Sequence, residues 1–171
     1  MWPVVALTLF VVTFGFVLGG LVVGGKVQAR PVSFLLFSGL FLFSSFFGML
    51  VSLFTTGWFP FRLLDVVIVA LCFVFIVSCF MRFHPTFGFF QFDGRANMIL
   101  FAVISFFLGL QLGMLGWRTF FILFLALVFT AGLFAGGVFQ VRAVMKLYSR
   151  QPSFHFLPLI WLLFATVLKL L

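Results

Sequence analysis

The chain has 171 residues, of which 65% are hydrophobic and only 7% are charged, whereas a soluble domain usually carries about 25% charged residues. A water-exposed surface cannot be made from this composition, which excludes a soluble globular domain and predicts an all-α polytopic integral membrane protein with a single membrane domain over residues 1–171. Ten Lys and Arg against two acids give a net charge of +8, but the basic residues stand singly, without the aromatic-lined groove of a nucleic-acid-binding surface, so we expect no nucleic-acid partner.

The apolar stretches predict the helices directly, because a helix that crosses a bilayer needs about 20 mostly apolar residues. Six stretches come near this length and predict five to six transmembrane helices near residues 3–25, 33–56, 63–81, 97–116, 119–141 and 155–171. The first is too long and too rich in glycine for a cleaved signal peptide, so we expect it to remain as an anchor. The last is short and contains Pro158, so a tilted or interfacial helix is the alternative to a full span.

The connections between these stretches carry the basic residues unevenly. If all six segments cross, alternate connections share a side, and the basic residues divide seven to three. The side with seven holds Lys26, Arg30, Arg82, Arg95, Arg142, Lys146 and Arg150, and the other holds Arg62, Arg118 and Lys169. The positive-inside rule then places the first side in the cytoplasm or matrix and both termini on the outer side. We expect anionic lipid headgroups near Lys26, Arg30, Arg142, Lys146 and Arg150.

Glycines recur at the spacing that allows helix backbones to approach closely in lipid. Small residues four apart leave a flat strip on one helix face, against which a second helix can pack. The predicted helix-packing residues are Gly15, Gly19, Gly20, Gly24, Gly109, Gly113, Gly132 and Gly136. The first and fifth helices also share a pattern, GFVLGG at 15–20 and GLFAGG at 132–137, which suggests an internal repeat.

The two acids are interpreted as structural. Asp65 follows Arg62 by three residues at a predicted helix start, so we expect a pair on the helix surface, where an acid also suits the helix dipole. A proton-relay role for Asp65 is the alternative, because ionisable groups inside a membrane are costly and usually functional. Asp93 lies close to Arg95 in FDGRAN, which is typical of a solvated turn.

Other polar residues give no pattern for catalysis. His84 and His155 lie in or beside the basic connections, which disfavours haem ligation within the membrane, and Gln111 and Gln140 are expected to form hydrogen bonds between helices. No nucleophile elbow, phosphate-binding loop, dinucleotide fingerprint or metal-ligand cluster occurs in the sequence. We therefore expect no catalytic, metal-binding or cofactor-binding residues and no cofactor.

Phenylalanine is in large excess, with 32 residues against one Tyr. Its ring lacks the polar group that places Tyr and Trp at the membrane interface. The excess favours a lipid-facing shell or tight packing against neighbouring hydrophobic subunits. A pathway for an apolar substrate is the remaining interpretation.

One segment resembles a respiratory-chain subunit. QARPVSFLLFSGLFLFSSFFGML at 28–50 is similar to the second helix of subunit 6 of mitochondrial NADH dehydrogenase, and IVALCFVFIVSCFM at 68–81 falls where that family's third helix would lie. The family's Tyr and paired small residues at the helix bend are missing, and the sixth segment exceeds the usual five. The resemblance implies a subunit of a proton-pumping oxidoreductase in the mitochondrial inner membrane, surrounded by other membrane subunits.

Two further segments resemble the transmembrane-protein-14 family, small helical proteins linked to lipid or porphyrin export. GGLVVGGKVQARPVSFLLFSG at 19–39 is similar to that family's Gly-Gly first helix, and MKLYSRQPSFHFLP at 145–158 to its later basic-aromatic loop. This chain is longer and has an additional central hairpin. The expected function is therefore a non-catalytic structural subunit of a respiratory-chain complex taking part in electron transport, with a small transporter of lipids or hydrophobic metabolites as the alternative.

Overall fold

The helices form as the apolar stretches predict. A computed structural model describes residues 2–23, 31–55, 61–82, 95–116, 120–147 and 156–170. The six helices are α1 (Trp2–Val23), α2 (Pro31–Thr55), α3 (Phe61–Met81), α4 (Arg95–Met114), α5 (Phe120–Leu147) and α6 (Leu157–Leu170). The first five are long and apolar enough to cross a membrane, so the prediction of an all-α polytopic membrane protein is confirmed.

The helix bounds differ from the expected ones mainly in α5 and α6. Helix α5 continues to Leu147 rather than ending at residue 141. Helix α6 has only 14 residues and is about 21 Å long at ~1.5 Å per residue, shorter than a hydrocarbon core of about 30 Å. Pro158 lies in its first turn, where a missing N–H breaks no helical bond.

The six helices pack side by side in a closed ring. Helix α1 packs against α5 and α6, α2 against α4 and α5, and α3 against α4 and α6, which gives the order α1–α5–α2–α4–α3–α6. Across the middle, α1 also contacts α4. Because every helix has two neighbours, no helix of the described part stands apart from the bundle.

Contacts along the helices fix their directions. Helices α1 and α5 are parallel, because successive α1 glycines meet successive turns of α5, and α2 and α4 are parallel for the same reason. Helices α3 and α6 are antiparallel, since Asp65 near the start of α3 meets Lys169 at the end of α6, whereas Phe80 stacks on Phe156 at the other end. Polar bonds at both ends make α3 and α4 antiparallel. Helices α2 and α5 are also antiparallel, because Phe34 stacks on Phe134 and Phe41 on Phe129. Consecutive helices therefore alternate in direction.

Aromatic side chains fill the interior of the ring. Phe41 and Phe129 stack with ring centroids 4.2 Å apart, and Phe14 lies 5.7 Å from Phe101 across the middle. The largest fully buried side chains of the described residues are phenylalanines: Phe14, Phe37, Phe41, Phe75, Phe101 and Phe129. Other phenylalanines, such as Phe54 and Phe120, point outward. The abundant Phe thus occupies both the core and the outer surface. The centre of the helix bundle is filled by phenyl groups and is not an open lumen.

Candidate functional site

Helices α1 and α5 meet at a contact made by glycines from both sides. We call Gly15, Gly19, Gly132 and Gly136 the α1–α5 glycine interface. A methyl group on Gly19 would overlap the carbonyl oxygen of Leu133, and one on Gly136 would overlap that of Phe16. The backbones therefore lie too close for any side chain, and only a residue without Cβ fits at these two positions.

The two halves of the α1–α5 glycine interface have similar sequences and make equivalent contacts. TFGFVLGG at 13–20 and TAGLFAGG at 130–137 share a Thr and three Gly at equal spacing. The contacts are reciprocal, because Gly15 meets the turn at Phe129 and Gly132 meets the equivalent turn at Val12. The similarity seen in the two sequences thus corresponds to two helices that pack against each other.

Helices α2 and α4 form a second contact of the same kind. Methyl groups on Gly48 and Gly109 would overlap the carbonyl oxygens of Phe106 and Ser45, respectively, and Gly113 lies against Ser52. Gly48 was missed at the sequence level because its small neighbour four residues on is Ser52 rather than glycine. A search for small residues four apart that counts serine as small would have identified Gly48 as a packing position.

The remaining predicted glycines have different positions. Gly20 faces the ring of Pro158 on α6, 2.9 Å from where a Cβ would lie. Gly24 lies outside the described residues.

A charged cluster joins three helices near one end of the ring. Lys169 on α6 forms an ion pair with Asp65 on α3, with Nζ 2.9 Å from Oδ1. Lys169 Nζ also donates to Gln111 Oε1 on α4 at 2.9 Å, and Gln111 Nε2 donates to Asp65 Oδ1 at 2.8 Å. We call these three residues the Asp65 cluster. Each member bonds to both others, so the pair has a third, neutral partner.

The Asp65 cluster is largely shielded from solvent. The exposed fractions of the Lys169 and Asp65 side chains are 6% and 20%, and Gln111 is buried. On the α1 side, the ring of Phe10 lies 5.1 Å from Lys169 Nζ, a cation–π distance. Since removing one partner of a buried pair leaves an uncompensated charge, the cluster should hold α6 against α3 and α4.

The expected partner of Asp65 was wrong. Arg62 is exposed on the first turn of α3, and the ion pair of Asp65 in the described residues is with Lys169. Spacing of three residues identifies neighbours on one helix surface, but Asp65 points into the bundle, toward α4 and α6. The expectation that Gln111 bonds between helices is confirmed.

A smaller polar contact ties α3 to α4 at the opposite end. Ser78 Oγ donates to Asn97 Oδ1 at 2.6 Å, and Asn97 Nδ2 lies 3.9 Å from Cys79 Sγ. Asn97 is fully buried. Cys72 and Cys79 are both free and buried. Polar bonds at both ends therefore fix the register between α3 and α4.

Two apolar grooves open on the outside of the ring. The first, about 380 Å³, runs along the contact of α1 and α6 and is lined by Thr13, Ile160, Trp161, Phe164, Ala165 and Leu168. The second, about 470 Å³, lies between α2 and α5 and is lined by Leu42, Phe46, Phe120, Ile122 and Leu123. Both face outward, where lipid or a partner helix would lie.

Four other polar residues discussed above form no part of the Asp65 cluster or of the contact between Ser78 and Asn97. Asp93, His84 and His155 lie outside the described residues, and Gln140 is buried on α5. Within the described ranges, no three His, Cys, Asp or Glu side chains come close enough together to hold a metal ion.

The fold and the Asp65 cluster define the class as a polytopic helical membrane protein with a buried charged pair. Comparison with protein-family models, with curated proteins and with solved structures finds no match to this chain.

Proposed function

We propose that this chain is a non-catalytic structural subunit that packs inside a larger membrane assembly. The filled interior of the ring carries this proposal: stacked phenylalanines occupy the middle of the bundle, and at the two glycine contacts the neighbouring backbones lie too close for a Cβ atom. Such a bundle is a rigid body with apolar side chains on its outside, suited to bracing neighbouring membrane subunits.

The particular assembly that we propose is a respiratory-chain complex of the mitochondrial inner membrane, with a complex I-like membrane arm favoured. Its support is the resemblance of residues 28–50 and 68–81 to the NADH dehydrogenase subunit. The partners would be other membrane subunits, together with anionic lipids at the basic end, where Arg82, Arg95 and Arg142 are exposed.

Site-specific photo-crosslinking tests for such partners. A photoreactive residue at Phe120, which is 78% exposed beside the α2–α5 groove, should form adducts with another protein chain. The matched position is Phe129, which is fully buried and should form none. After gentle solubilisation, the chain should migrate with a large complex. Migration alone, without protein adducts at Phe120, would refute the proposal.

The alternative function is transport of lipids or hydrophobic metabolites, and the α1–α6 groove favours it. This groove is apolar and has the volume to hold an acyl chain, with the small side chains of Thr13 and Ala165 on its wall. If the alternative is right, the purified chain moves labelled lipid between leaflets of liposomes, and Ala165→Phe abolishes the movement. Leu127→Phe is the matched control, because Leu127 is exposed on α5, outside the residues that line the groove.

We also propose that both termini lie on the outer side, in the intermembrane space. The alternating helix directions support this, because they bring Arg82, Arg95 and Arg142 to one end of the ring, opposite Arg62 and Lys169. Single cysteines in 57–61 should react with an impermeant thiol reagent from the outer side, and those in 83–94 should not. Cys72 and Cys79 are buried and should give little background. The reverse pattern would contradict the orientation.

A further inference from the structure

The ammonium group of Lys169 occupies a site built by three other helices. Its Nζ lies 2.9 Å from a carboxylate oxygen of Asp65, 2.9 Å from the amide oxygen of Gln111 and 5.1 Å from the ring centroid of Phe10. An anion, a neutral acceptor and an aromatic face are the three kinds of group that bind a primary ammonium ion.

The walls of this site are oriented by contacts that do not involve Lys169. Gln111 Nε2 donates to Asp65 Oδ1, so the amide presents its oxygen to the ammonium group and its nitrogen to the carboxylate. Phe10 is 4% exposed and belongs to the apolar core. The acceptors would therefore keep their arrangement if the lysine left, as a preorganised site requires.

The space for an alkyl chain is that of the lysine stem. The Lys169 side chain is only 6% exposed, so its stem lies inside the bundle. A ligand with an ammonium head in place of the lysine could lay a short alkyl chain where this stem now lies. The lysine itself has this chemistry, because its apolar stem carries a charged head.

We propose that Asp65, Gln111 and Phe10 form a binding site for primary alkylammonium ions, which Lys169 occupies as a tethered ligand. The site takes a positive head with N–H donors and an apolar chain of a few carbons. In the wild type the tethered amine competes with any free ligand, so an external amine binds only when the last turn of α6 withdraws. The site is a property of the bundle and does not depend on membership of a larger assembly.

Emptying the site and refilling it tests the proposal. Butylammonium is titrated into the purified full-length Lys169→Ala variant in detergent, and thermal unfolding is followed. The melting temperature should rise saturably with butylammonium, and wild-type protein should need about tenfold more or show no rise. Adding Asp65→Asn to Lys169→Ala should weaken the apparent affinity about tenfold or more, because the buried charge partner is lost.

Tetramethylammonium serves as the control ligand, because it has the charge but no N–H donor. Equal stabilisation by both ions, or equal stabilisation of the variants with and without Asp65, would overturn the proposal. If Lys169→Ala does not accumulate in folded form, it is produced in the presence of butylammonium. Lys169→Met is the filled-site control, because its side chain occupies the place of the butyl chain, and it should respond weakly. Failure of butylammonium to stabilise Lys169→Ala would also overturn the proposal, since an empty site of this kind must be refillable.

Discussion

Helices α1 and α5 are held together by shape, whereas α3 and α6 are held together by charge. At the α1–α5 glycine interface, side chains are missing and backbone lies on backbone. At the Asp65 cluster, polar side chains from three helices meet at 2.8–2.9 Å. The first contact tolerates no added atom, and the second tolerates no lost charge. The two should therefore fail under opposite kinds of substitution.

The largest effect is expected at the α1–α5 glycine interface. Replacing Gly19 or Gly136 with Leu drives a side chain into backbone that cannot move aside, and overpacking of this kind costs about 3 kcal/mol, at the upper end of its usual range. Equilibrium unfolding in mixed detergent micelles measures the loss. The matched control is Gly39→Leu, because a Cβ at Gly39 meets nothing within 4 Å, and this variant should unfold like the wild type. If Gly19→Leu or Gly136→Leu unfolds with the same free energy as Gly39→Leu, added volume does not matter at this interface.

The second prediction removes a charge from the Asp65 cluster. Lys169→Met keeps the apolar stem but leaves Asp65 unpaired, and breaking a buried pair costs about 3–5 kcal/mol. We expect about 2 kcal/mol, because 20% of the Asp65 side chain stays exposed and Gln111 still donates to it. The same unfolding assay measures the loss.

Adding Asp65→Asn to Lys169→Met is the control for this prediction. The double variant has no unpaired charge, so it should regain most of the lost stability. If the double variant is less stable than Lys169→Met alone, the loss did not come from an uncompensated carboxylate.

How much of these contacts could be predicted from sequence depends on whether the signal is local. Gly132 and Gly136 are four apart in one helix, and spacing alone identified them as packing positions. Asp65 bonds to Gln111, 46 residues away, and Gln111 bonds to Lys169, 58 residues further on. Which helices surround Asp65 depends on the ring order, and no local pattern contains that order. Arg62 was chosen as its partner only because it was near in the chain.

Which phenylalanines are buried could not be predicted from the sequence either. A helix that is apolar on every side carries no periodic signal to separate a core-facing from a lipid-facing position. Phe129 and Phe124 lie five residues apart on α5, yet the first is fully buried and the second is 49% exposed. The sequence has Phe at both positions, but no pattern in it indicates which of the two is buried inside the bundle.

A smaller effect is expected at the opposite end of α3 and α4. Asn97→Leu removes the acceptor of the 2.6 Å bond from Ser78, and such bonds between membrane helices contribute about 0.6 to 1.7 kcal/mol. We expect about 1 kcal/mol of destabilisation in the same assay. Ser78→Ala should cost a similar amount, and the double variant should cost less than the sum of the two. Strict additivity would show that the two side chains do not interact.

The smallest effect concerns turnover. If the chain is a structural subunit of a proton-pumping complex, Asp65→Asn should lower the amount of complex formed but leave pumping and electron transfer per complex unchanged. The amount of complex on native gels and the pumping rate are measured on the same membranes. Normal assembly with pumping lost would make Asp65 a proton-carrying group and overturn the structural role.

The partner of Asp65 comes from α6 and not from the preceding turn of its own helix. Two double-mutant cycles test it directly, one combining Asp65→Asn with Lys169→Met and one combining Asp65→Asn with Arg62→Met, both followed by equilibrium unfolding. We expect a coupling free energy of about 2–3 kcal/mol for Asp65 with Lys169, because each single change leaves one buried charge unpaired and the double change leaves none, and we expect no coupling for Asp65 with Arg62. Coupling to Arg62 without coupling to Lys169 would contradict the account.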